Sequence, residues 1–498
     1  MVRAPVGRRA AAVLAGLLSS FLLLAGASPA AAAPQADKGA QKLQQLRSGK
    51  ATLRVGTDAT FPPFEFTDAK GVRVGFDIEL VRALAKRAGI KKVTFTQMPF
   101  GNIVPALQAH QIDMGASGIY INKERSKVID FSDVYYPGGL AMFTADKDNT
   151  IHSLDDLAGK RVAVQVGTKS VEWVKENQPR AKVVTVQTNQ QMFSSVKLGQ
   201  AAAVVTGAPA GQYFIAQQGG LKQVGKRLTG EDYGYAFPKT DAAVTTAFNS
   251  ALKSMKSDGS YGKLTHKWFG SGSAAKAKKH ALINPQTIID SWGQIWHGLV
   301  VSIEVILMSL CLSLLFGMTG GFAKLSRIAP VRWLGNAYVS VIRGTPFVVQ
   351  LFLIYFGLPQ LGLQLPPMVA GVLSLGLYSG SYVTEIFRGA VQSVDRGQIE
   401  AARSCGMSHA SAMRHVVVPQ AFLRMLPPLG NEFVSLTKNS TLVSFVTISE
   451  LFLVGQVVIS RTFDALTVYL FIGLLYYILT NIIGFATHAI EKKMAVYV

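Results

Sequence analysis

Long apolar segments divide this 498-residue chain into two unlike parts. A chain of this length is expected to contain several domains. The first ~270 residues mix polar and apolar side chains in short alternations, as soluble domains do. Several apolar runs after Ile288 instead approach the ~20 residues that cross a bilayer as a helix. The sequence therefore predicts a soluble part fused to a membrane part.

Five membrane spans are predicted in the second part, and the second of them is interrupted. They lie near residues 293–322, 343–360, 366–387, 428–456 and 466–488. Arg and Lys residues concentrate in the connections after the first and third spans, whereas the connection between the second and third carries no charge. Because cytoplasmic connections are rich in Lys and Arg, the soluble part is expected outside the membrane and the C-terminus inside.

The N-terminus has the order of a secretory signal, with Arg3, Arg8 and Arg9 before an apolar run and a small-residue tract that ends near Ala33. We therefore predict a signal peptide in residues 1–33 and export of the domain that follows it. An uncleaved membrane anchor is the alternative. The arginine pair fits a twin-arginine export signal poorly.

The formal net charge of +21 does not require a nucleic-acid partner. The chain has no basic helix interleaved with aromatic residues, and many Arg residues lie beside apolar spans, so a lipid bilayer explains the charge better. The two cysteines, Cys311 and Cys405, both fall in the membrane part. No disulfide, and no metal site, is therefore predicted in the exported part.

The exported part alternates β-rich runs with helical periodicity. Strands are predicted at 53–55, 93–96 and 162–166, and helices at 78–88 and 103–108. Such α/β folds bind ligands at the carboxyl ends of their strands, where helix N-termini present free N–H groups to anions. We therefore expect a small anionic or zwitterionic ligand.

A series of motifs in the exported part resembles the family 3 solute-binding proteins for polar amino acids. The motifs are Gly56 to Phe66, Gly75 to Asp77, Ser117 to Tyr120 with Glu124 and Arg125, Asp130 to Ser132, and Lys267 to Gly270. The resemblance implies a two-lobed type II periplasmic-binding-protein fold for the solute-binding domain, residues 34–270. It puts lobe one in residues 51–138 and 238–270, and lobe two in residues 143–233.

The resemblance also implies roles for individual residues. Arg125 corresponds to the arginine that binds the ligand α-carboxylate, to which a planar guanidinium can donate two parallel hydrogen bonds. Thr168, Lys169 and Ser170 follow a strand and would hold the same carboxylate from lobe two. The alternative for Arg125 is a surface arginine paired with Glu124 or Asp130.

The remaining predicted ligand-binding residues are Asp58, Phe61, Phe100, Ser117, Gly118, Tyr120 and Gly207. Phe61 and Phe100 correspond to aromatic walls of the pocket, with ordinary core packing as the alternative. Asp58 corresponds to a position that often contacts the distal group of the ligand, although it would equally suit the cap of the following turn.

Two of these positions depart from the family pattern. Gly207 stands where the resemblance implies an acidic residue for the ligand α-ammonium, and Tyr120 replaces a small hydroxyl residue. Lys169 adds a positive charge near the predicted carboxylate site. An ammonium without a carboxylate in a dry site is costly, so the ligand is expected to be N-substituted, cyclic or more acidic than a free amino acid. An alignment slip of a few residues is the alternative.

Residues 271–284 are predicted to be a flexible charged linker, and residues 285–498 a permease domain. Glu400, Ala401 and Ala402, then Gly406 and, further on, Pro419, resemble the cytoplasmic loop on which the ATPase of a bacterial ABC importer docks. This resemblance implies that these five residues couple the membrane part to a separate ATPase.

Other segments of the permease domain resemble the polar amino-acid branch of importer permeases. They are Arg343 to Pro346, Leu429 to Phe433 and Lys438 to Leu442. Four charged residues, Glu385, Glu432, Lys438 and Glu450, lie within or beside predicted spans, where charge usually faces a cavity or a partner. Glu432 and Lys438 are the candidates for the pore, and snorkelling to the membrane surface is the alternative for Lys438.

The chain shows no phosphate-binding loop of its own. The nearest approach, Gly220 to Lys226, is followed by Arg227 where a hydroxyl residue is needed to bind magnesium. We therefore expect no cofactor in this chain, with ATP and Mg²⁺ on a separate ATPase subunit. A homodimer with two ATPase copies is the simplest assembly, and a heteromeric permease pair is the alternative.

Together these features predict the substrate-binding and channel subunit of an ABC importer for polar amino acids or close derivatives, which is not itself an enzyme. The alternative is a ligand-gated channel or receptor, but in such receptors the pore segment interrupts the binding lobes. An enzyme on the same fold is a third interpretation, for which no nucleophile and base pair is apparent.

Overall fold

The computed structural model describes residues 35–68, 70–270, 283–462 and 464–494. The predicted signal peptide and most of the predicted linker lie outside these ranges. Within them, the N-terminal half is a mixed α/β domain and the C-terminal half is helical.

The strands of the α/β domain form three sheets. In chain order they are β1 (Leu53–Thr57), β2 (Thr60–Phe61), β3 (Glu65–Thr67), β4 (Arg73–Val74), β5 (Val93–Gln97), β6 (Met114–Gly115), β7 (Asp130–Phe131), β8 (Leu140–Ala145), β9 (Arg161–Gln165), β10 (Lys182–Val186), β11 (Ala203–Gly207), β12 (Leu221–Val224) and β13 (Ala236–Phe237).

The helices of the α/β domain pack around the two larger sheets. They are α1 (Gln35–Ser48), α2 (Phe76–Arg87), α3 (Ile103–Gln108), α4 (Lys123–Val128), α5 (Lys169–Asn177), α6 (Asn189–Lys197), α7 (Ala208–Gln218), α8 (Ala242–Ser257) and α9 (Ser260–Phe269), with 3₁₀ turns at Phe100–Asn102, Asp155–Leu157 and Lys239–Asp241.

Each larger sheet is the centre of one lobe. The lobe-one sheet has the order β5-β1-β6-β13-β7, with β5, β1 and β6 parallel and β13 antiparallel to its neighbours. The lobe-two sheet has the order β10-β9-β11-β8-β12, with β10, β9 and β11 parallel. The chain leaves lobe one after β7 and returns as β13, so two segments cross between the lobes. This confirms the predicted two-lobed fold.

The predicted elements of the α/β domain are also confirmed. The three predicted strands correspond to β1, β5 and β9, and the two predicted helices to α2 and α3. The central parallel strands β1, β9 and β11 are largely buried on both faces, which explains the Val and Ala residues of β9 and β11. Lobe one contains an aromatic cluster around the fully buried Phe64, whose ring contacts those of Phe61, Phe76, Tyr136 and Tyr233.

The C-terminal half consists of long helices and sharply bent pairs. The helices are α10 (Pro285–Leu325), α11 (Ala329–Gly344), α12 (Phe347–Phe352), α13 (Pro367–Ser393), α14 (Arg396–Ser404), α15 (His409–Ala412), α16 (Val418–Asn439), α17 (Leu451–Thr462) and α18 (Ala465–Met494), with π-helical turns at Leu353–Gly357 and Met413–Val417 and 3₁₀ turns at Leu358–Leu361 and Ser440–Val446.

By length and composition, two helices of the described residues could cross a membrane, and up to four spans result if each bent pair counts as one. The pair Ala329–Gly344 and Phe347–Leu361 bends by 106°, and the pair His409–Val446 and Leu451–Thr462 by 57°. The first bend falls at Thr345, which is extended as expected for a residue before proline. It lies inside the interrupted second span that the sequence predicts.

The third predicted span, 366–387, falls within α13, which is long enough to cross a membrane but is not among these candidates. Its Gly and Ser residues are used for close packing against α10, where Gly376 approaches Leu312 and Gly380 approaches Phe316. Small residues let helix backbones approach each other closely in membranes. The Gly and Ser residues that lower the apolar character of α13 are therefore explained by its central position among the helices.

Candidate functional site

A small cavity lies between the two lobes. It sits at the carboxyl ends of parallel strands, because Asp58 follows β1, while Gln165 and Gly207 end β9 and β11. Of the residues predicted from the sequence, nine line this cavity: Asp58, Phe61, Phe100, Ser117, Gly118, Tyr120, Thr168, Ser170 and Gly207. The prediction that the ligand region lies at strand ends therefore agrees with the position of the cavity.

Arg125 lies next to this cavity and connects the lobes. Its Nη1 donates to the backbone oxygen of Tyr120 at 3.1 Å, and its Nη2 donates to the backbone oxygen of Gly167 in lobe two at 2.9 Å. The guanidinium also stands over the Phe100 ring, 5.4 Å from its centroid. The described contacts of Arg125 do not include an ion pair with Glu124 or Asp130. Burial lowers the pKa of Arg125, but a guanidinium stays charged at any physiological pH.

Lys169 is the predicted site residue that neither lines the cavity nor joins the lobes. Its Nζ lies 3.4 Å from Oε2 of Glu172, one turn along α5. The helix still begins at the cavity, where Thr168 is the N-cap and Ser170 is buried. Thr168 uses its hydroxyl to donate to the Gln165 backbone oxygen at 2.7 Å.

Asp58 is the centre of a hydrogen-bond network that crosses the cavity. Its Oδ1 accepts from the Thr60 hydroxyl at 2.8 Å, and its Oδ2 accepts from Nε2 of Gln165 in lobe two at 2.8 Å. Asn189 donates to Oε1 of Gln165 at 2.9 Å, and Thr206 donates to Asn189 at 3.4 Å. Residues from both lobes therefore hold the carboxylate in place.

The sequence analysis did not single out Gln165, Asn189, Thr206 or Tyr233, although all four line the cavity. Gln165 and Thr206 lie at the ends of predicted or actual strands, so a search of every strand end would have found them. Tyr233 lies in the segment that returns to lobe one and has no local signal, because it reaches the cavity through its backbone pairing with Tyr120 and Tyr136.

Burial raises the pKa of Asp58 to about 6, although hydrogen bonds from Thr60, Gln165 and Gln97 act in the opposite direction. The unfolded value is about 4, so protonation of Asp58 stabilises the folded state at acid pH, and this contribution is lost as pH rises through about 6. A ligand cation requires the ionised form, which dominates only above that pH.

We therefore expect the affinity for a ligand with a cation at Asp58 to rise about tenfold between pH 5 and pH 7, as the ionised fraction rises from about a tenth to nine tenths. Calorimetric titration of the full chain at a series of pH values measures this. The Asp58→Asn variant should bind more weakly at pH 7 and show no step near pH 6. A step that persists in this variant would assign the titration to another group.

Gly207 lies in the cavity wall beside two tyrosine hydroxyls. A Cβ added at Gly207 would overlap the hydroxyl of Tyr233, and it would stand 3.4 Å from the hydroxyl of Tyr120. Tyr233 donates to the Tyr120 hydroxyl at 3.2 Å. Any larger residue at position 207 thus requires Tyr233 to move, which gives a structural reason for glycine here.

Ser117 and Gly118 form the floor of the cavity in lobe one. The Ser117 hydroxyl donates to Oε1 of Glu65 at 2.8 Å and accepts from the Asp58 backbone N–H at 3.1 Å. Gly118 has a positive φ of 51°, and a Cβ there would collide with the Phe61 ring. Ser117 therefore positions Asp58, and Gly118 leaves room for the aromatic wall.

The predicted coupling segment folds as two helices joined by a glycine turn. Asp395 caps the first helix, α14, by accepting from the Gly397 N–H at 2.7 Å. Gly406 has a φ of 85°, which favours glycine, and α15 begins three residues later, at His409, with Ser408 as its N-cap. Glu400 is exposed and has no side-chain partner among the described residues, whereas Ala402 is buried. Ala401 is exposed on α14, and Pro419 lies in the first turn of α16.

Two parts of this chain match known families. Residues 53–271 match the bacterial extracellular solute-binding proteins, family 3, and residues 299–496 match the binding-protein-dependent transport system inner membrane component. The chain is 34% identical to the probable glutamine ABC transporter permease protein of Bacillus subtilis (strain 168), over 43% of this chain and 98% of that protein. It belongs to the amino-acid ABC transporter permeases. In this permease a family 3 solute-binding domain precedes the membrane domain on the same chain.

Further proteins are similar to parts of this chain. The permease is 35% identical to the glutamine transport system permease protein of Escherichia coli (strain K12), over 41% of this chain and 98% of that protein. Among solved structures, an ancestral arginine-binding protein bound to glutamine is 43% identical, covers 44% of this chain and 98% of its own, and has a TM-score of 0.43.

Charged residues of the permease helices are held by specific partners. Glu385 pairs with Lys324 and with Arg388, whose Nη2 lies 2.8 Å from Oε2 of Glu385. Glu432 accepts from the Ser379 hydroxyl at 2.7 Å. Lys438 is exposed. The pore-facing roles of Glu432 and Lys438 stay predictions.

Glu450 of the permease is fully buried at the start of α17. It accepts from the N–H groups of Phe452 and Leu453, both at 2.8 Å, and from the Tyr476 hydroxyl at 2.6 Å. These contacts fix the N-terminal end of α17 and join it to α18. Among the described residues of the whole permease, no group of three or more His, Cys, Asp or Glu is arranged to hold a metal ion.

Lobe one of the solute-binding domain lies against the membrane helices. Asn102 donates to the backbone oxygen of Phe445 at 2.6 Å, and Gln111 donates to that of Tyr355 at 3.2 Å. From the membrane side, Gln364 donates to the backbone oxygen of Ala109 at 3.3 Å. A second cavity, of about 470 Å³, lies between lobe one and helices α10 and α17. The contacts hold the binding domain beside the membrane helices of its own chain.

Proposed function

We propose that this permease captures a polar amino acid, or a close derivative, outside the cell and passes it through its own membrane helices with energy from a separate ATPase. The observation that carries the proposal is the pair of cross-lobe contacts at the cavity, from Gln165 to Asp58 and from Arg125 to Gly167. Each contact joins a candidate ligand-binding side chain to the opposite lobe, so capture of a ligand is coupled to lobe closure.

The cavity supports a zwitterionic or carboxylate ligand. Arg125 supplies a permanent positive charge at one side, and Asp58 supplies a buried carboxylate in the wall. Similar permeases are named for the transport of glutamine, cystine and arginine. We propose the same class of substrate, polar amino acids, for this permease.

The energy source is proposed to be a cytoplasmic ABC ATPase that carries ATP and Mg²⁺ and docks on α14, the Gly406 turn and α15. The exposed carboxylate of Glu400 and the buried Ala402 support this, because they leave one face of α14 open and fix the other to the protein. We further propose two copies of this chain in the transporter, with their binding domains outside the inner membrane. Residues 1–33 would direct export of that domain.

Uptake into proteoliposomes tests this function. The full chain, purified together with an ATPase from the same cell, is expected to accumulate radiolabelled amino acids or derivatives only with ATP inside the vesicles. A non-hydrolysable ATP analogue is the matched control. A ligand-activated ionic current that needs no ATP would instead support a receptor channel, although the complete binding domain precedes α10, the first membrane helix.

A further inference from the structure

The charges around the ligand cavity are few and unevenly placed. Asp58 is the only acidic side chain among the described residues that line it, and Thr60, Gln97 and Gln165 already donate hydrogen bonds to its carboxylate. Within the part of the chain that the structure describes, the cation beside the cavity that joins the lobes is Arg125. The site therefore offers a carboxylate ligand one counter-charge and offers a ligand cation one carboxylate, at Asp58.

The wall at Gly207 is polar but uncharged. The hydroxyls of Tyr120 and Tyr233 lie 3.2 Å apart there, and both side chains are buried. Burial raises the pKa of both tyrosines above its usual value, so both hydroxyls are neutral at physiological pH. A phenol hydroxyl donates one hydrogen bond and accepts others, so this pair suits an amide N–H or C=O group.

Tyr120 connects this neutral wall to the carboxylate region. Its backbone oxygen accepts from Arg125, and its hydroxyl accepts from Tyr233. Tyr120, Tyr233 and Gly207 line the same cavity, so the two hydroxyls are available to the substituents of a ligand whose carboxylate lies at Arg125. A primary ammonium there would keep a full charge and three donors in a buried position without a carboxylate, which is costly.

We propose that this site selects amino-acid derivatives whose α-nitrogen is not a free ammonium, namely N-acylated or cyclic lactam and amidine carboxylates, with any remaining cation at the distal end near Asp58. This inference rests on the proposed function, because it assumes that the cavity binds a carboxylate for transport. It adds the class of cargo, and the glycine at position 207 and the hydroxyl of Tyr233 are its structural determinants.

Matched ligand pairs test the inference on the full chain in nanodiscs. The pairs are L-glutamine with N-acetyl-L-glutamine, L-arginine with N-acetyl-L-arginine, and L-proline with L-pyroglutamate. In calorimetric titrations at pH 7, at least one derivative is expected to bind about tenfold or more tightly than its parent, since an unpaired buried charge costs more than 1.4 kcal/mol, which corresponds to a factor of ten.

The two possible failures are distinguishable. If the parent amino acids bind as tightly as the derivatives, the inference is wrong while the proposed function stands. If none of the six compounds binds or is transported, the proposed amino-acid function is contradicted together with the inference.

A pair of variants tests the structural cause. Gly207→Asp combined with Tyr233→Phe restores a carboxylate and removes the hydroxyl that a Cβ would overlap. Relative to Tyr233→Phe alone, this double variant is expected to bind the parent amino acids about tenfold more tightly and the derivatives more weakly. The double variant Gly207→Asn with Tyr233→Phe introduces a side chain of the same size as aspartate but without its charge. An equal gain in affinity for the parent amino acids in this variant would overturn the electrostatic explanation.

Discussion

Replacing Arg125 by alanine is expected to weaken ligand binding by the full-length permease about a hundredfold or more. On the proposed function, the variant removes the counter-charge of a ligand carboxylate, and truncating one partner of a buried charge pair costs about 2–5 kcal/mol, where 1.4 kcal/mol is a factor of ten. It also removes the donor to the backbone oxygen of Tyr120 and, across the lobes, the donor to that of Gly167. Calorimetric titration of the full chain in nanodiscs measures the loss.

Two further variants separate charge from geometry at this position. Lys123→Ala lies on the same helix, α4, and is exposed, so it should leave the dissociation constant within about twofold, as expected of a surface substitution. Arg125→Lys keeps the charge but has a single ammonium in place of the guanidinium fork that reaches both carbonyls, and should lie between alanine and wild type. Unchanged affinity of the Arg125→Ala variant would show that Arg125 joins the lobes but does not bind the ligand.

The sequence predicted the parts of the ligand site that local motifs carry. Asp58 lies directly after the predicted strand β1, Ser117 and Gly118 belong to a motif that carries the family resemblance, and Thr168 lies where a strand leads into a helix. Parallel strands place their carboxyl ends at one edge of a sheet, so residues of this kind meet even when they are far apart in sequence. The position of the site could thus be predicted from strand ends and motifs alone.

The cross-lobe network could not be predicted in this way. Gln165 reaches Asp58 only because two separately folded sheets close on each other, and Tyr233 reaches Gly207 only because the chain returns to lobe one through this segment. The sequence showed a glycine at position 207. It did not show that a tyrosine hydroxyl occupies the space of the missing side chain, since that depends on the closed arrangement.

The membrane half shows the opposite balance. The apolar runs in the sequence indicate where its helices lie. The number of membrane spans also depends on bends between helices, which the lengths of the apolar runs do not reveal. The extended backbone before Pro346 follows from local proline geometry, whereas the 106° between the two helices reflects how α12 packs against α13. The contacts of Asn102 and Gln111 with membrane-helix carbonyls had no signal in the sequence, because single amides on a loop or helix end have no periodicity.

Replacing Glu400 by alanine is expected to reduce ATP-dependent uptake by about tenfold or more while leaving ligand affinity unchanged. Glu400 is exposed on α14 and unpaired among the described residues, so its removal should cost the fold little, and surface changes of this kind usually stay within about 0.5 kcal/mol. Loss of a charge at a docked partner instead weakens the complex directly. Uptake into proteoliposomes and ligand titration of the same preparation measure the two effects.

Gln398→Ala is the matched control for Glu400, because it changes an exposed residue of the same helix without changing charge. Gly406→Ala tests the turn between the helices. Its φ of 85° makes any Cβ costly by about 1–2 kcal/mol, yet no atom lies within 4 Å of the position that the Cβ would take, so uptake should fall through the turn geometry alone.

Full uptake by Glu400→Ala would place ATPase docking elsewhere on the permease, whereas weakened ligand binding in the same variant would show that Glu400 acts on the fold. Only loss of uptake with intact binding supports a coupling role, because it requires a site that transmits energy and does not contact the cargo.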